Sequence, residues 1–193
     1  MATDLGNSSR GESQRLFLAL TLPENVRQAL AALPQKLSEV TWTPPEQCHL
    51  TLRFLGDVWP AEQEALVSRL RGMRVEPFVI AIEGVGTFPP NRPPRVIWVG
   101  TGAGHPRLFQ LRQQIDDAIL AAGLHADLRS FHPHVTLARC HSTGPGISRW
   151  LNRHREFAGP ALRVEAFDLY RSELRASGAI HTRLERFSLL NAL

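Results

Sequence analysis

Apolar and polar positions alternate along this chain in blocks that predict a mixture of strands and helices. Arg15 to Leu22 (RLFLALTL) reads as a buried strand, after a polar, Gly- and Ser-rich lead over 1–14 that is expected to be a flexible tail. Pro23 opens a helix to about Leu33, with Val26, Leu30 and Leu33 on its apolar face, and Pro34 ends it. His49 to Leu55 reads as a strand closed by Gly56, and Pro60 starts a second helix with Ala61, Ala65, Leu66 and Leu70 as core candidates. Phe78 to Val85 and Val96 to Val99 read as strands on either side of a stiff loop, Pro89 to Pro94. His105 to Ala122 places Leu108, Leu111, Ile115 and Ile119 at helical spacing. A strand from His134 to Ala138, a short helix from Ser148 to Arg155, and strands over Ala161 to Tyr170 and Thr182 to Leu190 complete the pattern. Strands and helices mix without a strict βαβ rhythm. The expected fold is therefore α+β with mostly antiparallel sheets, in one domain spanning 15–193.

Two of the predicted strands carry the same polar signature. One reads His49-Leu50-Thr51-Leu52, the other His134-Val135-Thr136-Leu137. Residues i and i+2 of a strand share a face, so each histidine points with its threonine while the aliphatic residues point into the core. A single His-x-Thr arises readily by chance. Two copies with the same apolar punctuation are far more specific, and they suggest two pseudo-symmetric lobes with one copy each. Histidine exists in either protonation state near neutrality. A pair can divide labour, one imidazole taking a proton and the other giving one, while the threonine hydroxyls hold phosphate oxygens.

Composition narrows the partners without choosing one. The chain has 193 residues, 43% of them hydrophobic, and no apolar run long enough to span a bilayer, so no membrane partner is expected and the expected address is the cytoplasm. The net charge is +4, and Lys36 is the sole lysine among 22 basic residues. Arginine's planar fork suits phosphate, so the charge is compatible with a nucleic-acid partner. Cys48 and Cys140 flank the two motifs and are read as small thiols rather than a disulfide. Gly100, Gly102 and Gly104 lack the third glycine of a dinucleotide fingerprint, no P-loop is present, and an ordinary strand-to-helix loop is expected there.

The chain resembles the two-histidine phosphoesterases, and among them the RNA 2′,3′-cyclic phosphodiesterases, also called 2′-5′ RNA ligases. The likeness is carried by Arg15-Leu16-Phe17, by the run from His49 to Gly56, by Arg95 to Gly100, by Phe131 to Arg139, and by the tail from Leu169 to Leu190. The resemblance implies a bilobal fold with helices outside and a central cleft. It implies His49 as proton donor to a leaving 3′ oxygen, His134 as the base that activates water, and Thr51 and Thr136 as phosphate holders. No cofactor and no metal are implied. The implied partners are RNA ends or nucleotides bearing a 2′,3′-cyclic phosphate, and the chain is expected to be a monomer.

Further residues are read from strand parity. Alternation puts Arg53 on the face of Thr51, as a phosphate contact or a solvated rim residue, and puts Phe54 on the core side. Arg139 matches a family position, but alternation turns it away from His134 unless the strand ends or bulges near Ala138. His132 shares the parity of His134 and is a candidate to orient or line the site. Trp98 is read as packing, and His105, His125, His141 and His154 as solvent-facing. Where the family commonly carries a tyrosine after the glycine of its last hairpin, this chain reads Gly178-Ala179-Ile180-His181. Three other functions fit parts of the pattern: ligation of RNA ends in the reverse direction, a metallohydrolase built on His49, His132 and His134, and a non-catalytic RNA-end-binding module.

Overall fold

The computed structural model describes residues 11–90, 92–125, 130–175 and 178–189. The expected N-terminal tail lies largely outside them, and the first strand begins at Gln14. Ten strands and four α-helices follow in the order β1 (Gln14–Thr21), α1 (Glu24–Ala31), β2 (Val40–Trp42), β3 (His49–Val58), α2 (Pro60–Leu70), β4 (Phe78–Ile80), β5 (Glu83–Phe88), β6 (Val96–Gly100), α3 (Pro106–Ala121), β7 (His134–Cys140), α4 (Pro145–His154), β8 (Leu162–Val164), β9 (Ala166–Arg175) and β10 (Gly178–Ser188), among the described residues. The predicted strand from Phe78 to Val85 is two strands: β4 leaves to pair with β8, and β5 joins the main sheet.

The main sheet has the order β10-β9-β1-β3-β7-β6-β5, with β2 also pairing with β7, and its pairings are antiparallel. The two motif strands are central neighbours, joined at the pair Leu50 and Val135. The halves are therefore not N- and C-terminal. The C-terminal hairpin β9-β10 pairs beside β1 and β3, while β2 from the first half pairs with β7.

One face of the sheet is covered and the other carries the site. Leu16, Leu18 and Leu20 of β1, Leu50 and Leu52 of β3, Val135 and Leu137 of β7, and Ile97 and Val99 of β6 are buried in one cluster. The same cluster takes Val26 and Leu30 of α1, Leu66 and Leu70 of α2, Leu108, Leu111, Ile115 and Ile119 of α3, and Ile147 and Trp150 of α4. The predicted helix faces thus close the core, except that Ala61 and Ala65 are exposed and Val67 is buried in their stead. Proline at the first turn starts α2, α3 and α4, where the missing N–H has no intrahelical partner to lose. His105 caps α3 by accepting from the Arg107 N–H at 3.1 Å, and its ring stacks on Phe78, so it is not the solvent-facing residue expected.

Bulges decide which side chains reach the uncovered face. Along β1 and β3 the pairs run Ala19 with Thr51 and then Leu18 with Arg53, leaving Leu52 as an extra residue. Along β6 and β7 they run Trp98 with Thr136 and then Ile97 with Ala138, leaving Leu137 extra. Each motif strand therefore shifts parity immediately after its threonine. A second shift in β3 leaves Leu55 extra, and the strand continues through Gly56 at φ 74° rather than closing there, a left-handed conformation open to glycine.

Candidate active site

The pairing of Leu50 with Val135 fixes the register between the two motifs. In an antiparallel ladder it sets His49 across from Thr136 and Thr51 across from His134, with opposed Cα atoms about 5 Å apart. All four side chains are half-buried and share the face opposite the helices. The four residues expected to act together thus stand as a square at the junction of the two half-sheets.

Both histidines are held in the same way. Nδ1 of His49 donates to the carbonyl of Gln47 at 2.7 Å, and Nδ1 of His134 donates to the carbonyl of His132 at 2.7 Å. A carbonyl can only accept, so each Nδ1 carries its hydrogen and each Nε2 is the nitrogen left for chemistry. The 3-10 turn Pro45–Gln47 leads into β3, and Pro133 stands between His132 and β7.

Each imidazole lies in an aromatic setting. His49 packs on Phe17 at 5.0 Å between ring centroids, on Tyr170 at 6.5 Å, and edge-on to His181 at 5.3 Å. His134 packs edge-on to Phe88 at 4.9 Å and lies 6.4 Å from Trp98. Trp98 sits over Gly86, where an added Cβ would come within 2.2 Å of the indole ring, so only glycine admits it. Tyr170 is fixed through its hydroxyl, 2.5 Å from Thr21 Oγ1, and Thr21 donates to Asp168 at 2.6 Å. Because that carboxylate accepts the threonine proton, the Tyr170 hydroxyl donates to Thr21 and keeps its own lone pairs for other partners.

These surroundings favour neutral imidazoles. Burial pulls the His49 pKa down to about 4, against the opposing effect of its bond to Gln47, and the neighbouring His181, His134 and Arg139 push further in the same direction. Burial also lowers His134, partly offset by its bond to the His132 carbonyl. Burial and the charge of Arg139 lower His181.

Parity readings after each threonine need correction. Arg53 is not on the cleft face. The extra Leu52 turns it under the sheet, where it is 5% exposed and its Nε donates to Asp116 of α3 at 2.7 Å. Asp116 also receives Arg112, so the group knits α3 to β3. Phe54 takes the place expected for Arg53: it is 57% exposed, 6.0 Å from Phe17, and on the cleft side rather than in the core. The bulge that Arg139 requires is present at Leu137, and its charge is felt by both His49 and His181. His132 is exposed and rests edge-on against Trp98 at 5.0 Å, so Trp98 lines the His134 side as well as packing. Sequence reasoning missed Phe17, Tyr170 and Phe88. Alternation from the buried Leu16, Leu18 and Leu20 would have put Phe17 on the open face, whereas Tyr170 and Phe88 arrive only through strand pairing.

Cys48 is buried and its thiol is pushed up to about 11 by burial, and Cys140 is also free. Among the described residues, no three His, Cys, Asp or Glu side chains are grouped to hold a metal ion, and the trio His49, His132 and His134 forms no such group. No described helix is long and apolar enough to cross a membrane.

A cleft floored by two opposed His–Thr pairs, each histidine tethered through Nδ1, is the arrangement of a two-histidine phosphoesterase. The sequence pattern of the family described as "LigT like Phosphoesterase" matches residues 20–98 and again 99–181, one His–Thr motif in each stretch. An RNA 2′,3′-cyclic phosphodiesterase of Thermus thermophilus is 38% identical over 185 residues, covering 91% of this chain and 90% of that protein. A crystal structure of TT0787 from Thermus thermophilus superposes with a TM-score of 0.78 at 31% identity, covering 92% of this chain and 98% of its own. Escherichia coli LigT complexed with 3′-AMP superposes with a TM-score of 0.74 at 27% identity, covering 92% and 99%. The chain belongs to the LigT-like phosphoesterase family.

Proposed function

We propose that this chain hydrolyses the 2′,3′-cyclic phosphate at RNA ends to a 2′-phosphomonoester, by histidine acid–base chemistry that needs no metal. The observation that carries the reading is the facing pair of Nδ1-tethered imidazoles, His49 and His134, each beside the other motif's threonine. Support comes from the name of the Thermus thermophilus relative and from the 3′-AMP complex of Escherichia coli LigT.

In this mechanism Nε2 of neutral His134 takes a proton from water as its oxygen attacks phosphorus. The P–O3′ bond breaks, and Nε2 of protonated His49 gives its proton to the departing 3′ oxygen. A P–OH group and a free 3′ hydroxyl result, and the two histidines have exchanged protonation states. The assignment of donor and acceptor follows the family. Each proton transfer contributes roughly 10²–10⁴ in rate. Thr51 and Thr136 donate to the non-bridging oxygens as charge builds on them, and Arg139 adds a positive charge nearby. The exposed ring of Phe54 offers a face on which a nucleobase stacks, worth about 1–3 kcal/mol per base. His132 lines the cleft beside Trp98.

A cyclic-phosphate-ended oligonucleotide incubated in EDTA tests the reading. Hydrolysis to the 2′-phosphate is expected, with loss of turnover by a factor of at least ~10² in His49→Ala and in His134→Ala. Full activity in either variant, or activity abolished by the chelator, refutes it. Net joining of ends under the same conditions would mark the ligase direction instead.

A further inference from the structure

A third imidazole stands beside His49 and takes no part in the proton transfers. On β10 the register sets Arg183 across from Tyr170 and His181 across from Ser172, so His181 lies on the same face of the sheet as Tyr170. Two strands, β9 and β1, separate β10 from β3. The His181 ring nevertheless meets Phe17 edge-on at 4.9 Å between centroids and His49 edge-on at 5.3 Å, the latter at 88°. The sheet therefore curls toward its uncovered face here, and the C-terminal hairpin walls the cleft. At that separation one phosphate can lie within hydrogen-bond reach, about 3 Å, of nitrogens on both imidazoles.

The two nitrogens of His181 differ in setting. Nδ1 is buried with no hydrogen-bond partner, and Nε2 stays accessible. A hydrogen on Nδ1 would be an orphaned buried N–H, the rarer kind of unsatisfied group, whereas a bare Nδ1 leaves only a lone pair unmet. The favoured tautomer therefore carries its hydrogen on Nε2. His49 and His134 are the opposite: their Nδ1 hydrogens go to backbone carbonyls and their Nε2 atoms are bare. Burial, and after it the charge of Arg139, disfavours the His181 imidazolium, so near neutral pH the ring offers this single donor. Tyr170, its neighbour on the same face, has no proton to give an anion. Its hydroxyl donates to Thr21, which in turn donates to Asp168.

We propose that His181 is a further substrate-binding residue, its Nε2–H donating to a non-bridging oxygen of the phosphate held between His49 and His134, an inference that rests on the proposed function. The contact strengthens as charge builds on that oxygen in the transition state. An uncharged donor makes it without repelling the protonated His49, as a cation at the same place would.

A long-range nitrogen–proton NMR spectrum of the free protein reads the tautomers. Nδ1–H is expected at His49 and His134 and Nε2–H at His181; Nδ1–H at His181 overturns the proposal. Substitutions then separate the donor from the packing. His181→Phe keeps a ring against Phe17 and His49 but has no donor, His181→Asn puts its amide at the place of Nδ1, and His181→Gln restores an N–H at the place of Nε2. On a cyclic-phosphate-ended oligonucleotide, kcat/KM is expected to fall at least about tenfold in the Phe and Asn variants, the worth of a hydrogen bond to a charged group, and to recover in the Gln variant. Sulfate affinity is expected to follow the same order. Equal values in all the variants, lowered or not, overturn the proposal, and so does unchanged sulfate affinity in His181→Phe. Should His181→Phe fail to fold, Gln against Asn decides: Gln higher by about tenfold supports the contact, and parity overturns it. If the wild type hydrolyses no cyclic phosphate, the proposed function fails, and sulfate affinity alone decides for His181 by the same comparisons. A wild type that binds no sulfate overturns the contact outright.

Discussion

An anion in the cleft should bring its own proton to the site. In the free protein His49 is held at about 4, some two and a half units below the ordinary 6.5 of histidine. That depression corresponds to about 3 kcal/mol against the imidazolium. One negative charge at ~4 Å in a partly screened site contributes about 4 kcal/mol in the opposite sense, close to three pKa units. An oxyanion held between His49 and His134 should therefore raise the His49 pKa back toward the ordinary histidine range, and on the proposed mechanism the imidazolium would form when substrate arrives rather than before. Sulfate is a suitable probe because its own charge is constant over this range. The assay is an NMR titration of the histidine Cε1–H signals from pH 4 to 8, with and without saturating sulfate. The His49 midpoint is expected to rise by two units or more. Sulfate affinity should correspondingly strengthen, by up to tenfold for each unit that pH falls between the bound and free midpoints. If His134 moves in place of His49, donor and acceptor exchange roles. Sulfate bound with neither midpoint displaced would refute the reasoning.

Three further outcomes follow from single side chains. Asp116→Ala removes the carboxylate that receives buried Arg53 and Arg112, and should lower stability by about 3–5 kcal/mol in urea unfolding; a loss under ~1 kcal/mol would contradict the role given to it. Phe54→Ala should raise KM for nucleotide substrates by roughly five- to 150-fold, as expected for a lost base stack, while the melting temperature of this exposed position holds; an unchanged KM argues against stacking. His181→Asn takes away a charge that opposes protonation of His49, so the His49 midpoint should rise above about 4 in the free protein, and a fall or no movement would count against that coupling.

The family of this chain was more legible than its geometry. Two His-x-Thr runs announce a shared face because strand periodicity needs only neighbouring residues. The first three helices were legible for similar reasons, from aliphatic residues at helical spacing and from proline at the starts of α1 and α2, whereas α4 begins at Pro145, ahead of the expected Ser148. What escaped is set by pairing between distant segments. A bulge adds one residue to one strand and leaves no mark in composition, yet it reverses every side chain after it. That is why Arg53 and Phe54 exchanged faces, and why the place of Arg139 could be stated only as a condition. Likewise Tyr170 and Phe88 reach the cleft because β9 and β5 add to a sheet whose order does not follow the chain. The two bulges fall at equivalent positions, after Thr51 and after Thr136, so the fifth residue beyond each histidine turns back toward the cleft. In one half that residue is Phe54, an aromatic ring; in the other it is Arg139, a guanidinium. The two histidines are tethered alike, and on the proposed function this divergence would give the cleft a direction: a π-face at one end for a base, and a positive charge at the other for phosphate.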